Sequence, residues 1–244
     1  VPTRNRPRNI KHLIVNIDET IRDLTNIELL VAFDTDDSMT LRELSGIPTK
    51  DRPYHFFPRE RSEWLNKDYY NWLASKANGN YLWGIGDDVR FLTKDWDIIL
   101  SDKIEKYLQS KSDRIAYISV NEQGSTAKHP CFPLITKEAF KVLGEYHSSR
   151  LMSWGSDRIL YEIYSNPLVG RILHIPEISI QHLTYHDGTA SYDETAKSMH
   201  ERFFRDPNCH NYVSMYIVPQ QIKILSSYIK EFHSNGMVKQ EQIL

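Results

Sequence analysis

The sequence predicts an α/β fold, and three observations carry that prediction. Apolar residues at helical spacing over 10–21 lead into a short apolar run, 27–33, that closes on acids. A second helical stretch, 63–76, leads into the apolar run from 81, which ends on Gly86-Asp87-Asp88. Helix and strand patterns then keep alternating to residue 182, with no internal repeat.

The bounds agree with this class. The 244 residues suffice for one large domain or two small ones, and 40% hydrophobic with 25% charged is normal for a soluble globular chain. A formal net charge of −2 argues against a nucleic-acid partner. Cys131 and Cys209 lie far apart and provide neither metal spacing nor a disulfide framework, so a reducing compartment is expected. No apolar run approaches the roughly 18 residues of a membrane span, so no transmembrane segment is expected. No signal peptide is visible, and the default expectation is a cytoplasmic protein, peripheral to a membrane at most.

Taken in order, Pro2-Thr3-Arg4-Asn5-Arg6-Pro7 is turn chemistry, with Pro7 suited to a first helical turn. Ile10, Leu13, Ile14, Ile17 and Ile21 form one helix face, and residues 27–33 are of strand length. Loop, helix, strand and acidic loop make the start of an α/β nucleotide-binding unit. Asp34 and Asp36 could accept hydrogen bonds from a base or ribose, whereas Asp37 or Ser38 could cap a helix over 40–45. Residues 49–58, rich in Pro and aromatics, read as irregular. Trp64, Leu65, Tyr69, Trp72 and Leu73 predict a helix that stops at Asn78-Gly79.

The run 81–89 predicts a buried strand ending in Gly86-Asp87-Asp88, with negative charge at the carboxyl edge of a sheet. Such a pair is either a solvated turn or a site for a hard cation, Mg²⁺ or Mn²⁺, that bridges carboxylates to phosphates. Residues 93–109 are helical or mixed, 114–120 alternate as a strand, and 123–128 form a loop. Thr136 caps a helix that stops at Gly144. Trp154-Gly155-Ser156-Asp157 opens another helix, where the dipole alone favours an acid by about 0.3–1 kcal/mol. Residues 171–175 and 178–182 are strand-like, the second ending on His182, with His186 and Asp187 in the loop beyond. The tail from 196 alternates short helical faces with Pro207 and Pro219.

In this order the motifs resemble the family-2 glycosyltransferases of GT-A fold over roughly residues 1–185. The residues that carry the resemblance are Pro2-Thr3-Arg4, the strand ending in Asp34, Gly86-Asp87-Asp88-Val89, Phe132-Pro133-Leu134-Ile135-Thr136 and Trp154-Gly155-Ser156-Asp157. It implies a single GT-A-type domain at 1–190, with a mixed, mostly parallel sheet flanked by helices, and a helical C-terminal extension at 191–244. It also implies an inverting transfer of a sugar from a nucleoside-diphosphate sugar, UDP favoured, to a hydroxyl of a glycan or related acceptor. Pro2, Thr3 and Arg4 would pass under the nucleotide base, with Asp34 or Asp36 reading it. Gly86-Asp87-Asp88 would be a degenerate Asp-X-Asp motif, Gly86 replacing the first acid. Asp88 would then ligate Mn²⁺ or Mg²⁺, Asp87 would face ribose or sugar, and His182 would be a third metal ligand. Asp157 would be the catalytic base.

The chain departs from the family in three places, one being the loop Asp34–Asp37, richer in acids than the common pattern, which leaves the base-reading acid open. A full apolar strand normally precedes Pro-Thr, where this sequence has Val1, so the first strand is expected to be very short or cut. The Gln-X-X-Arg-Trp signature of processive synthases is missing, so a processive membrane synthase is not expected. Two other functions fit the same fold: a sugar nucleotidyltransferase, using Arg4, Arg6 and Arg8 on a triphosphate, and a non-catalytic nucleotide- or glycan-binding module.

Overall fold

Pro7 opens helix α1 (Pro7–Thr20) at a position whose missing N–H has no intrahelical partner to lose. The helix buries Ile10, Leu13, Ile14 and Ile17, each contributing about 1.5–3 kcal/mol of apolar burial. It connects two parallel strands, β1 (Pro2–Thr3) and β2 (Leu29–Asp34), paired Pro2↔Ala32 and Thr3↔Phe33. The computed structural model describes residues 1–125, 127–184, 189–190, 194, 197–198, 201 and 213–241.

Asp37 caps α2 (Ser38–Ser45) by accepting from Thr40 N at 3.0 Å, which settles its local role as a cap. The segment 49–58, expected to be irregular, instead enters β3 (Tyr54–Arg59), which runs parallel to β2 from Leu29↔Tyr54 to Asp34↔Arg59. Pro58 is tolerated because β3 is the edge of this three-stranded sheet. A π-helical turn, Leu65–Asn71, then runs into α3 (Trp72–Lys76).

The expected single strand over 81–89 is two strands. β4 (Tyr81–Trp83) and β5 (Val89–Phe91) lie at opposite edges of a second sheet, with Gly86-Asp87-Asp88 in the connection. Gly84 ends β4 because a Cβ there would come within 2.6 Å of the Tyr146 ring, whose hydroxyl accepts from Gly84 N at 3.0 Å. After α4 (Trp96–Leu108) come β6 (Tyr117–Gln123), β7 (Leu134–Thr136), α5 (Lys137–Leu143), α6 (Ser156–Ser165) and β8 (Ile172–His182).

The second sheet has the order β4-β7-β6-β8-β5, with β6 and β8 parallel and the other pairs antiparallel. The two strand-like pieces read around Pro176 are one strand, whose register against β6 jumps from Val120↔Ile175 to Asn121↔Ser179. That irregularity sets the end of β8 level with the end of β6. One core joins both sheets through Ile10, Val31, Phe33, Val89, Ile118 and Ile180.

Helix α7 (Val218–Glu241) packs on α5 and α6, with Val218, Leu225 and Ile229 in a second core beside Ile159, Ile163 and Tyr164. Among the described residues no helix is long and apolar enough to cross a membrane.

Candidate functional site

Strand order brings three acids and a histidine to one sheet edge. β8 ends on His182, flanked by β6 on one side and β5 on the other. Glu122, near the end of β6, pairs in register with Ile180, while Val89, the first residue of β5, pairs with His182. Leu183 N donates to Asp88 O at 2.9 Å, locking the acidic loop to the end of β8. His182 Nε2 therefore lies 3.9 Å from Asp88 Oδ2, and its Nδ1 lies 3.6 Å from Glu122 Oε1.

The loop after β1 closes over Asp87. Thr3 Oγ1 donates to Asp87 Oδ2 at 2.7 Å, and Arg6 Nη1 lies 3.3 Å from Asp87 Oδ1 and 3.5 Å from Asp88 Oδ2. Asp87 is buried, and desolvation, with the Asp88 charge second, pushes its carboxyl up to about 6; Arg6 and Thr3 act in the opposite direction. A Cβ at Gly86 would meet the Asp88 carboxylate, the movable end of a partly exposed side chain, so a side chain at 86 would displace that carboxylate.

Arg4, Asp34 and Asp36 form a neighbouring group. Asp34, buried at the end of β2, accepts from Arg4 and from the Tyr69 hydroxyl. Arg4 also grips Asp36 through two nitrogens, at 2.6 and 3.1 Å. Asn5 N donates to the cap residue Asp37 at 2.6 Å, fixing this turn against α2. Pro2 stands in β1, paired with Ala32.

Asp157 stands in the first turn of α6, as the sequence predicts, and its Oδ2 lies 3.2 Å from His129 Nε2. The loop before α6 is held by buried Asn66, whose amide donates to Leu151 O at 3.0 Å and Ser153 O at 2.9 Å. At half-buried Tyr70 desolvation pushes the phenol up, and the charges of Asp88, Asp87 and Asp157 act in the same direction. Sequence-predicted His186 and Asp187 lie outside the described residues.

His147, wedged against Tyr70 and Tyr146, is buried, and desolvation lowers its pKa from 6.5 to about 4. The unfolded chain therefore binds the extra proton first as pH falls. The contribution to stability is full above about 6.5 and is lost toward 4, a change of about 3 kcal/mol. Urea denaturation at pH 7 and pH 4.5 is expected to show this acid sensitivity, and His147→Gln is expected to flatten it.

Comparison with known proteins gives no match to a protein-family model and none to a curated protein. Solved structures do match. S. aureus TarS 1–349 in complex with UDP is 14% identical over 96% of this chain and 70% of its own, with a TM-score of 0.56. The mannosyltransferase PcManGT from Pyrobaculum calidifontis, in complex with GDP-Man and Mn²⁺, is 15% identical over 96% of this chain and 73% of its own, with a TM-score of 0.58. The chain has the GT-A fold. S. aureus TarS 1–349 in complex with UDP-GlcNAc is likewise similar, at 13% identity over 93% of this chain and 70% of its own, with a TM-score of 0.57.

Within this GT-A fold the donor chemistry suits a divalent cation. A carboxylate oxygen and an imidazole nitrogen 3.9 Å apart can be spanned by two bonds of about 2.1 Å without moving the backbone. Sequence reasoning missed Arg6 as a carboxylate partner, Tyr69 as a partner of Asp34, His129 as a partner of Asp157, and Glu122. A usable signal existed for Glu122, an acid at the end of an apolar strand like Asp34. The other three pairings span |i−j| of 28 to 82 and left no local pattern.

Proposed function

We propose that the chain is a metal-dependent inverting glycosyltransferase, moving a sugar from a nucleoside-diphosphate sugar, UDP-linked in the first instance, to a hydroxyl of a glycan or related acceptor. The observation that carries this reading is the position of Asp88 against His182, with Asp87 tied to the loop after β1, on a GT-A fold. The solved structures of that fold include complexes with UDP, UDP-GlcNAc, and GDP-Man with Mn²⁺.

Asp88 and His182 would hold Mn²⁺ or Mg²⁺, which when bound supplies positive charge opposite the departing diphosphate. Pro2, Thr3 and Arg4 line the nucleotide side in this reading, with Arg4 oriented by Asp34 and Asp36. Asp87, fixed by Thr3 and Arg6, faces the ribose or the sugar. Asp157 accepts the acceptor hydroxyl's proton on Oδ1 while His129 holds Oδ2. The deprotonated oxygen attacks the anomeric carbon as the bond to the diphosphate breaks. A single displacement of this kind inverts the configuration.

Residues 1–190 are proposed as the catalytic unit and 191–244 as a helical extension, a division supported by the packing of α7 on α5 and α6. A cytoplasmic location is proposed with it, since two distant cysteines provide no disulfide framework.

A thermal-shift series with UDP, GDP and their sugars tests the reading. A true donor is expected to raise the melting temperature only with Mn²⁺ present, by the equivalent of about 2.7 kcal/mol at a hundredfold excess over its Kd. Failure of every nucleoside diphosphate to bind in a metal-dependent way overturns it. Binding without transfer or donor hydrolysis favours the non-catalytic module.

A further inference from the structure

Cys131 stands in a bend shortly before β7, and the ends of β6 and β8 bring Glu122 and His182 to it. One ligating atom from each of these residues lies within 4.8 Å of the other two. Cys131 N donates to Glu122 Oε2 at 2.8 Å, and Ser125 Oγ touches Cys131 Sγ at 3.1 Å. A second, independent feature points to a ligand. The Glu122 side chain is only 6% exposed, and its Oε1, buried without a hydrogen bond, is turned toward His182 Nδ1 at 3.6 Å. A buried carboxylate oxygen in this condition costs free energy unless a cation or donor meets it.

The donor set is unlike that of the Asp88 side. Thiolate, imidazole and carboxylate together select a thiophilic first-row cation, whereas carboxylates with phosphate oxygens select Mg²⁺ or Mn²⁺. Tetrahedral bonds of about 2.0–2.3 Å place ligand atoms roughly 3.3–3.8 Å apart, a spacing that Glu122 Oε1 and His182 Nδ1 already have at 3.6 Å. Three protein ligands leave a fourth position open, as in sites that take a water or an anion.

We propose that Glu122, Cys131 and His182 Nδ1 form a binding site for a thiophilic divalent cation of the zinc class, separate from the Asp88 position and sharing His182 with it. The shared imidazole makes the two sites alternatives. When Nδ1 ligates on the Glu122 side, the proton resides on Nε2 and is donated toward Asp88. When Nε2 ligates beside Asp88, Nδ1–H is donated toward Glu122, the usual outer partner of a metal-bound histidine. Zinc on the thiol side thus withdraws His182 from the Asp88 side. This last consequence rests on the proposed function, whereas zinc binding itself does not.

Titration of the full chain with Co²⁺ and Zn²⁺ tests the site. Co²⁺ is expected to produce a thiolate-to-cobalt charge-transfer band, displaced by Zn²⁺ at one equivalent. Cys131→Ser is expected to abolish the band and weaken zinc binding on the order of 100-fold, at least the loss produced by removing an outer-shell partner. Glu122→Gln, which keeps shape and removes charge, is expected to weaken zinc binding with the thiolate band retained at high cobalt. Asp88→Ala is expected to keep the thiolate band and to weaken zinc binding by no more than the roughly 10–100-fold of a lost outer partner, so the band separates this site from the donor site. A wild-type titration with no thiolate band, or undiminished zinc affinity in Cys131→Ser, overturns the proposal whether or not any nucleotide binds.

Discussion

Asp157→Asn is expected to lower turnover by about 10²–10⁴-fold, the range that a positioned general base contributes. Donor affinity measured with Mn²⁺ should stay near the wild-type value, because Asp157 sits in the first turn of α6 while Asp88 and His182 come from other elements. The amide keeps the shape and can still meet His129, so the helix start survives. The dipole contribution lost with the charge is only about 0.3–1 kcal/mol. Parallel single-turnover assays and calorimetry check the split. Equal loss of binding and turnover would make Asp157 a structural cap of its helix and remove the base from the mechanism.

Asp88→Ala should act the other way, removing metal-dependent donor binding before any chemistry is reached. Losing a direct ligand is expected to cost at least the 10–100-fold that outer-shell changes produce. Unliganded stability should hold. The deletion removes a like charge beside Asp87, whose carboxyl the Asp88 charge helps push up, while Arg6 keeps Asp87 as a partner. Calorimetry of UDP with and without Mn²⁺, beside a thermal melt of the apo variant, separates lost metal from lost fold. Wild-type donor affinity in Asp88→Ala would move the metal elsewhere and leave Asp88 as a turn residue.

Periodicity located α1, the cap Thr136 located the start of α5, and the first-turn acid Asp157 located that of α6, because those signals lie within a few residues of each other. Asp34 could be placed for the same reason, as the acid that ends an apolar run. β3 escaped notice since its strand character comes from pairing with β2, and its Pro58 is tolerable only at an edge, which a linear pattern does not record. The run 81–89 shows the same limit: its apolar residues are continuous, yet Gly84 must turn against the Tyr146 ring, and the two halves finish at opposite edges of a sheet.

The sequence by itself determined an alternation of helices and acid-ended strands, a near-neutral charge, and the residue types that a divalent cation and a phosphate-bearing ligand require. Only the tertiary structure decided which acids share a site. Gly86-Asp87-Asp88 meets His182 because β5 and β8 pair antiparallel, and Glu122 meets the other face of the same ring because the register jump in β8 brings it level with β6. Those juxtapositions depend on strand order and register, which arise from burying several distant apolar faces at once and leave no mark on neighbouring residues.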